Sequence, residues 1–223
     1  MSSTTSYRLS GVALILGSVL SIIYYLCQAF LNGNDLATIT SPLSLWSFVI
    51  AYIGSVLVLL GLPGMYTRQA ERAGILGLLG FLFVWYVTLY QGVIIPFTSV
   101  TIISQITAHI VPQSAAVPIA TTPPPAWMPF FLVSLVGQVL GFLLLAIATL
   151  RARVFPRWIG WLMIATLVLG VVSQMPFFPQ ALSNLAPIIG SVAVAGLGYA
   201  LLWPERLERS QPAPASVEAE VRA

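Results

Sequence analysis

The stretch GILGLLGFLFVWYVTLYQGVII, residues 74–95, follows closely on Arg72, runs into Pro96, and contains no Asp, Glu, Lys, Arg or His. A helix of this length covers the roughly 30 Å hydrocarbon core of a bilayer at 1.5 Å per residue. Leaving an ion in that core costs at least about 2.5–3.5 kcal/mol, so long charge-free runs mark what the membrane contains. The silence extends from Ala73 to Leu150, and Leu9–Asn34, Leu36–Thr67 and Trp158–Pro204 are equally free of formal charge. With 58% hydrophobic and 7% charged residues, the chain lies far from a soluble domain, where about a quarter of residues are charged.

Six segments are long and apolar enough to cross: about 10–31, 43–62, 74–95, 127–150, 158–175 and 185–203. Pro42, Pro129 and Pro187 lie near their starts, and Pro63, Pro96, Pro176 and Pro204 at or just past their ends, where a missing N–H costs least. Trp46, Trp127, Trp158, Trp161 and Trp203 fall at the predicted interfaces, whereas Trp85 sits near mid-membrane. Even-numbered spans put both termini on one side. That side receives Arg8, Arg68, Arg72, Arg151, Arg153, Arg157, Arg206 and Arg209, and the other receives only Asp35, so the positive-inside rule places both termini in the cytoplasm. The expectation is an all-α, six-transmembrane-helix bundle of a bacterial inner (plasma) membrane. Residues 1–9 form a short cytoplasmic N-terminus, 10–203 the membrane domain, and 204–223 a cytoplasmic, Pro/Ala/Ser/Glu-rich tail expected to be disordered. The first apolar run exceeds a signal-peptide core and is expected to stay as an anchor.

Between spans 3 and 4, residues 97–126 form an outer loop without formal charge. Val100, Ile103, Ile106 and Ile110 recur at helical spacing, opposite Thr101, Ser104, Gln105 and His109, which predicts a short interfacial helix. Pro112, Pro118 and Pro123–Pro125 then predict an extended cover. The loop reads either as a connector on the membrane or as a lid over an outward-facing cavity.

Uncharged polar side chains concentrate in the outer half: Tyr24, Tyr25 and Gln28 in span 1, Tyr52 in span 2, Tyr86, Tyr90 and Gln91 in span 3, Ser134 and Gln138 in span 4, and Ser173 and Gln174 in span 5. Spacing puts Tyr25 with Gln28, Tyr86 with Tyr90, and Ser134 with Gln138 on shared faces. Such groups either bond across helices, at about 0.6 kcal/mol each, or line a small outward-open pocket for a neutral or apolar molecule. Gly137/Gly141 and Gly74/Gly77/Gly80 permit close helix approach, within the bundle or across a dimer. Arg68, Arg72, Arg151, Arg153 and Arg157 are candidate contacts for inner-leaflet phosphates, although orientation alone explains them.

The inventory argues against an enzyme. His109 is the only histidine and Cys27 the only cysteine, no lysine is present, and no carboxylate lies within a span. No triad, zinc or haem ligand pair, disulfide framework or proton relay can be assembled from that set, so no cofactor or metal is expected. The arginines lie in loops as topology signals, which gives no nucleic-acid surface. The leading functional reading is a non-enzymatic accessory or structural membrane subunit, whose partners are the bilayer and another membrane protein or a second copy. The alternative is an outward-facing binding, sensing or transport module for a small neutral or apolar molecule.

The junction RARVFPRWIGWL, residues 151–162, ends one span in Arg and opens the next with Pro-Arg-Trp-x-Gly-Trp. It resembles a group of uncharacterised bacterial multi-pass membrane proteins classed as a domain of unknown function. The junction GLPGMYTR, residues 61–68, followed by RAGILG, residues 72–77, matches the other half of that pattern. The resemblance implies a multi-pass bundle and brings no activity or site with it. The two junctions also resemble each other, as a duplicated hairpin would.

Overall fold

The computed structural model describes residues 3–31, 35–112, 117–119, 125–173 and 182–203, and among them all regular structure is helical. The main helices are α1 (Ser3–Gln28), the short α2 (Leu36–Ile39), α3 (Pro42–Val87), α4 (Ile95–Thr107), α5 (Met128–Ala152), α6 (Arg157–Val172) and α7 (Leu185–Leu202). A π-helical stretch, Thr88–Ile94, joins α3 to α4 without a break. Four helical stretches are long and apolar enough to cross a membrane, Thr5–Gln28, Pro42–Thr107, Pro125–Ala152 and Leu185–Leu202, and α6 is a shorter apolar helix. In lipid only closed hydrogen-bonding patterns survive, which is why apolar runs of this kind become helices.

Pro42–Thr107 is not one rod. Gly74 has φ 56° and ψ −153°, a conformation open essentially to glycine alone, and the chain reverses there. Tyr66 stacks on Phe81 with centroids 4.8 Å apart, and Tyr52 meets Phe97 at 6.2 Å. Each pair straddles Gly74 at nearly equal sequence distance, as two antiparallel arms require. The first arm (42–73) starts cleanly: Ser41 caps it by accepting from the Ser44 amide at 3.2 Å, and Pro42 occupies its first turn.

Two helices run on past the expected span limits. The helix of span 2 continues beyond Pro63 through Arg68 and Arg72 to the reversal, with Pro63 inside it on an exposed face. Helical structure also continues past Pro96. The ring of Pro96 would clash with the carbonyl of Gly92 in an α-turn, and the wider π-turns, with the Ile95 amide reaching Tyr90 O, make room for it. Gly92 itself sits where a Cβ would run into Ser55 Oγ of the first arm. The first part of the expected outer loop is therefore α4. Its Ile103 and Ile106 are buried, Thr101, Ser104, Gln105 and His109 face out, and Ile110 is exposed. His109 ends α4 with φ 58°, while its amide bonds Ile106 O and that of Ile110 bonds Gln105 O, a Schellman closure in which histidine takes the usual glycine place. The N-terminus is helical from Ser3, and the tail 204–223 lies outside the described residues.

Packing closes a ring in the order α1, first arm, second arm, α5, α6, α7 and back to α1. Its tightest contacts are backbone to backbone. A Cβ on Gly11 of α1 would lie 2.7 Å from Gly198 O of α7, and one on Gly198 would lie 2.7 Å from Gly11 O. Gly17 and Gly54 are related in the same reciprocal way between α1 and the first arm, at 2.5 and 3.0 Å. Gly80 and Gly141, two of the glycines singled out in the sequence, bring the second arm onto α5 at Leu145 and Val84. Leu14, Leu62, Met65, Leu145, Ile159 and Leu197 form the centre of the packed core. It lies toward the end of the ring that carries Arg8, Arg68 and Arg151, the arginine end; the opposite end carries Asp35.

A methyl group at Gly74 has space but a forbidden backbone, whereas one at Gly170 has space and an ordinary helical backbone. Gly74→Ala is expected to cost about 1–3 kcal/mol. Gly170→Ala should be neutral or stabilising by up to about 1 kcal/mol. Reversible unfolding in mixed detergent micelles reads both.

Candidate ligand-binding site

Three inward helix faces change character along their length. On α1, Gly11, Leu14 and Ser18 are buried; the same face then continues as Ser21, Tyr25 and Gln28, all only partly buried. On α6, Ile159, Met163 and Thr166 are buried, followed by Gly170, where an added Cβ would meet no described residue within 4 Å, and by partly buried Ser173. On α5, Thr149 and Leu145 are each 1% exposed, Phe142 packs on the core, and one turn further Gln138 is exposed. Each of these inward faces is thus sealed at the arginine end and less buried toward the Asp35 end, beyond Phe142, Thr166 and Ser18. Ser18 Oγ is the only buried side-chain polar atom among the described residues without a hydrogen-bond partner.

The remaining candidate residues satisfy one another pairwise. Gln28 Nε2 donates to Ser47 Oγ of the first arm at 3.5 Å, and Tyr24 packs on Tyr25 and Phe48 with centroids at 5.0 and 5.9 Å. Across the second arm and α5, Gln91 Nε2 donates to Ser134 Oγ at 3.2 Å, which in turn donates to Phe131 O at 2.8 Å. The stacked Tyr86 and Tyr90 send their hydroxyls to Phe130 O at 3.2 Å and Trp127 O at 3.5 Å. Tyr52 stays on the outside against Phe97, and Ser173 donates back to Gly170 O at 2.8 Å. Gln138 has no hydrogen-bond partner among the described residues, and Gln174 lies outside them. These contacts form two separate seams, α1 with the first arm and the second arm with α5, and Gln138 belongs to neither.

At the arginine end, Arg72, Arg151, Arg153 and Arg157 are exposed, and Arg68 Nη1 reaches Ala200 O at 3.5 Å, a cation on the last turn of α7. Gln69 had no part in the sequence reading. It is fully buried, donates to Met65 Sδ at 3.3 Å and accepts from Thr149 Oγ1 at 3.5 Å, tying the first arm to α5. Only its position before the Arg72 junction hinted at an inward amide. At the other end Asp35 caps α2. The Thr38 hydroxyl at 2.8 Å, with the Ala37 and Thr38 amides at 3.3 Å, holds its carboxyl below the usual range, so the cap persists above ordinary carboxylate pKa values and is lost as pH falls through the lowered one. No group of three or more His, Cys, Asp or Glu that could hold a metal occurs among the described residues.

The seam and the lone amide separate cleanly in a stability measurement. Gln91→Leu and Ser134→Ala should couple in a double-mutant cycle by about 0.6 kcal/mol, the usual size for such bonds in membrane bundles. Gln138→Leu should leave unfolding in detergent unchanged or stabilised, since it breaks no bond.

No family model, curated protein or solved structure matches this chain.

Proposed function

We propose that the chain is a six-span integral protein of a bacterial plasma membrane, with both termini in the cytoplasm, that binds a small neutral or apolar molecule in a crevice open to the outer side. α1, the two arms of α3, α5, α6 and α7 supply the spans. The gathering of Arg8, Arg68, Arg72, Arg151, Arg153 and Arg157 at one end supports the orientation. It also puts Arg72, Arg151, Arg153 and Arg157 at the depth of inner-leaflet phosphates. One observation carries the binding function: Gln138 is exposed on the same α5 face that buries Leu145 and Thr149. The absence of formal charge from 73 to 150 suits a neutral ligand and offers no acid or base for catalysis, so the reading is non-enzymatic. The likeness to uncharacterised bacterial multi-pass proteins agrees with this placement and adds no chemistry.

A second reading, an accessory subunit that holds another membrane protein, draws on the exposed apolar flank of α5, where Phe130, Leu132 and Val136 are each more than half exposed. It draws nothing from the glycines, since Gly80, Gly137 and Gly141 are occupied within the chain.

Gly170→Cys, made with Cys27→Ser so that it is the sole thiol, tests the crevice. A membrane-impermeant maleimide added to intact cells should modify it. Protection from the outside together with modification in inverted vesicles would sink the orientation, and protection from both sides the crevice. Native mass spectrometry from mild detergent should give a monomer, and a stoichiometric second protein would favour the subunit reading.

A further inference from the structure

The flanks that α5 and α6 turn toward each other are exposed near the Asp35 end. At the arginine end α5 and α6 are in tight contact, with Gly160 so close that an added Cβ would lie 2.6 Å from Leu150 Cγ, and Ala146 of the same α5 flank is fully buried. Along that flank, Phe142, Val139 and Leu135 follow at helical spacing toward the Asp35 end, and Val139 and Leu135 are 37% and 47% exposed. The facing flank of α6 behaves in parallel: Gly160 is buried, Ile164 and Leu167 are half-buried, and Val171 is 48% exposed. Two helices that touch at one end and expose their facing flanks at the other diverge, and the wedge between them is walled by Leu135, Val139, Leu167 and Val171. In a bilayer that wedge meets acyl chains and not water. Gln138 lies beside Val139, about midway between Trp127 and Arg151, with an amide that no described residue satisfies. An amide at that depth costs free energy until something bonds it.

Resting on the crevice reading above, we propose that a single hydrocarbon chain bearing an uncharged hydrogen-bonding head group enters from the outer leaflet between α5 and α6 and sets its head on the Gln138 amide. The walls match the chain, the lone amide offers both a donor and an acceptor to a hydroxyl or ester, and the absence of any Asp, Glu, Lys or Arg in α5 before Arg151 or in α6 after Arg157 leaves a charged head without a counter-ion.

The probe is a monoacylglycerol carrying a diazirine in its acyl chain, photolysed with the full-length protein in nanodiscs and mapped by peptide mass spectrometry. The expected result is labelling concentrated on the 135–142 and 164–171 segments. It should fall about five- to tenfold in Gln138→Leu, the loss of one buried hydrogen bond, and similarly in Val139→Trp, which fills the wedge. The corresponding diazirine fatty acid, ionised at neutral pH, should label these segments far less. Labelling spread evenly over all exposed helix faces, or unchanged by Gln138→Leu, overturns the lateral route. Gly170→Cys modification from outside then decides how far the failure reaches. If the thiol still reacts, the crevice stands without lipid access; if it does not, the crevice reading falls as well. Unchanged detergent unfolding of both variants guards against loss of fold.

Discussion

Everything in this bundle depends on how closely α1 can approach its two neighbours. In hydrocarbon no hydrophobic effect pulls helices together, so association relies on dispersion between surfaces that fit and on backbones brought near enough to interact. α1 meets α7 through Gly11 and Gly198, and the first arm of α3 through Gly17 and Gly54, each glycine lying against the carbonyl of the other. Those two crossings close the ring. One crossing lies a turn from Arg8 and the other near the middle of α1, and Leu14, flanked by the two glycines, is completely buried. Beyond Ser18 and Ser21 the helix carries Tyr24 and Tyr25, with Tyr24 packed on Phe48 of the first arm.

The same asymmetry explains the polar residues. Where backbones touch, apolar side chains fill the centre; where tyrosines and amides take over, the inward faces are only partly buried. Gln28–Ser47 and Gln91–Ser134 are cross-braces of that half, each satisfying groups that hydrocarbon would otherwise penalise. Gln69 is the exception at the tight end, and there the amide is fully buried between Met65 and Thr149.

The helical class, the element order and the positions of α1, α5, α6 and α7 were legible because hydropathy and charge report directly on what a bilayer tolerates. The ends of the α3 arms were not, for a physical reason. Hydropathy marks where the membrane would stop, and a helix has no need to stop there, since its hydrogen bonds are internal. Residues 63–73 therefore stay helical through Arg68 and Arg72 until Gly74 turns the chain. Pro96 misled in the opposite sense, because a proline that breaks an α-turn is accommodated when the preceding turns widen. Of the site, which polar residues share a helix face was readable and their partners were not. Tyr86 shares a face with Tyr90, yet their hydroxyls go to the backbone carbonyls of Phe130 in α5 and of Trp127 just before it, which no side-chain spacing encodes. The space beside Gly170 is not written in its sequence position.

Gln138 then tells more than its bonded counterparts. An amide within a membrane helix is tolerated when a neighbour completes it, and Gln28, Gln69 and Gln91 are completed. Turning Gln138 by one residue would place it at Gly137 or Val139, against the second arm or on the lipid flank. At its actual register it sits one turn above Phe142 on the inward face, where the apolar packing ends. Leucine there would be cheaper in hydrocarbon on any transfer scale. In the crevice proposed above, a polar group just above the floor, with no partner among the described residues, has its use in what enters from outside.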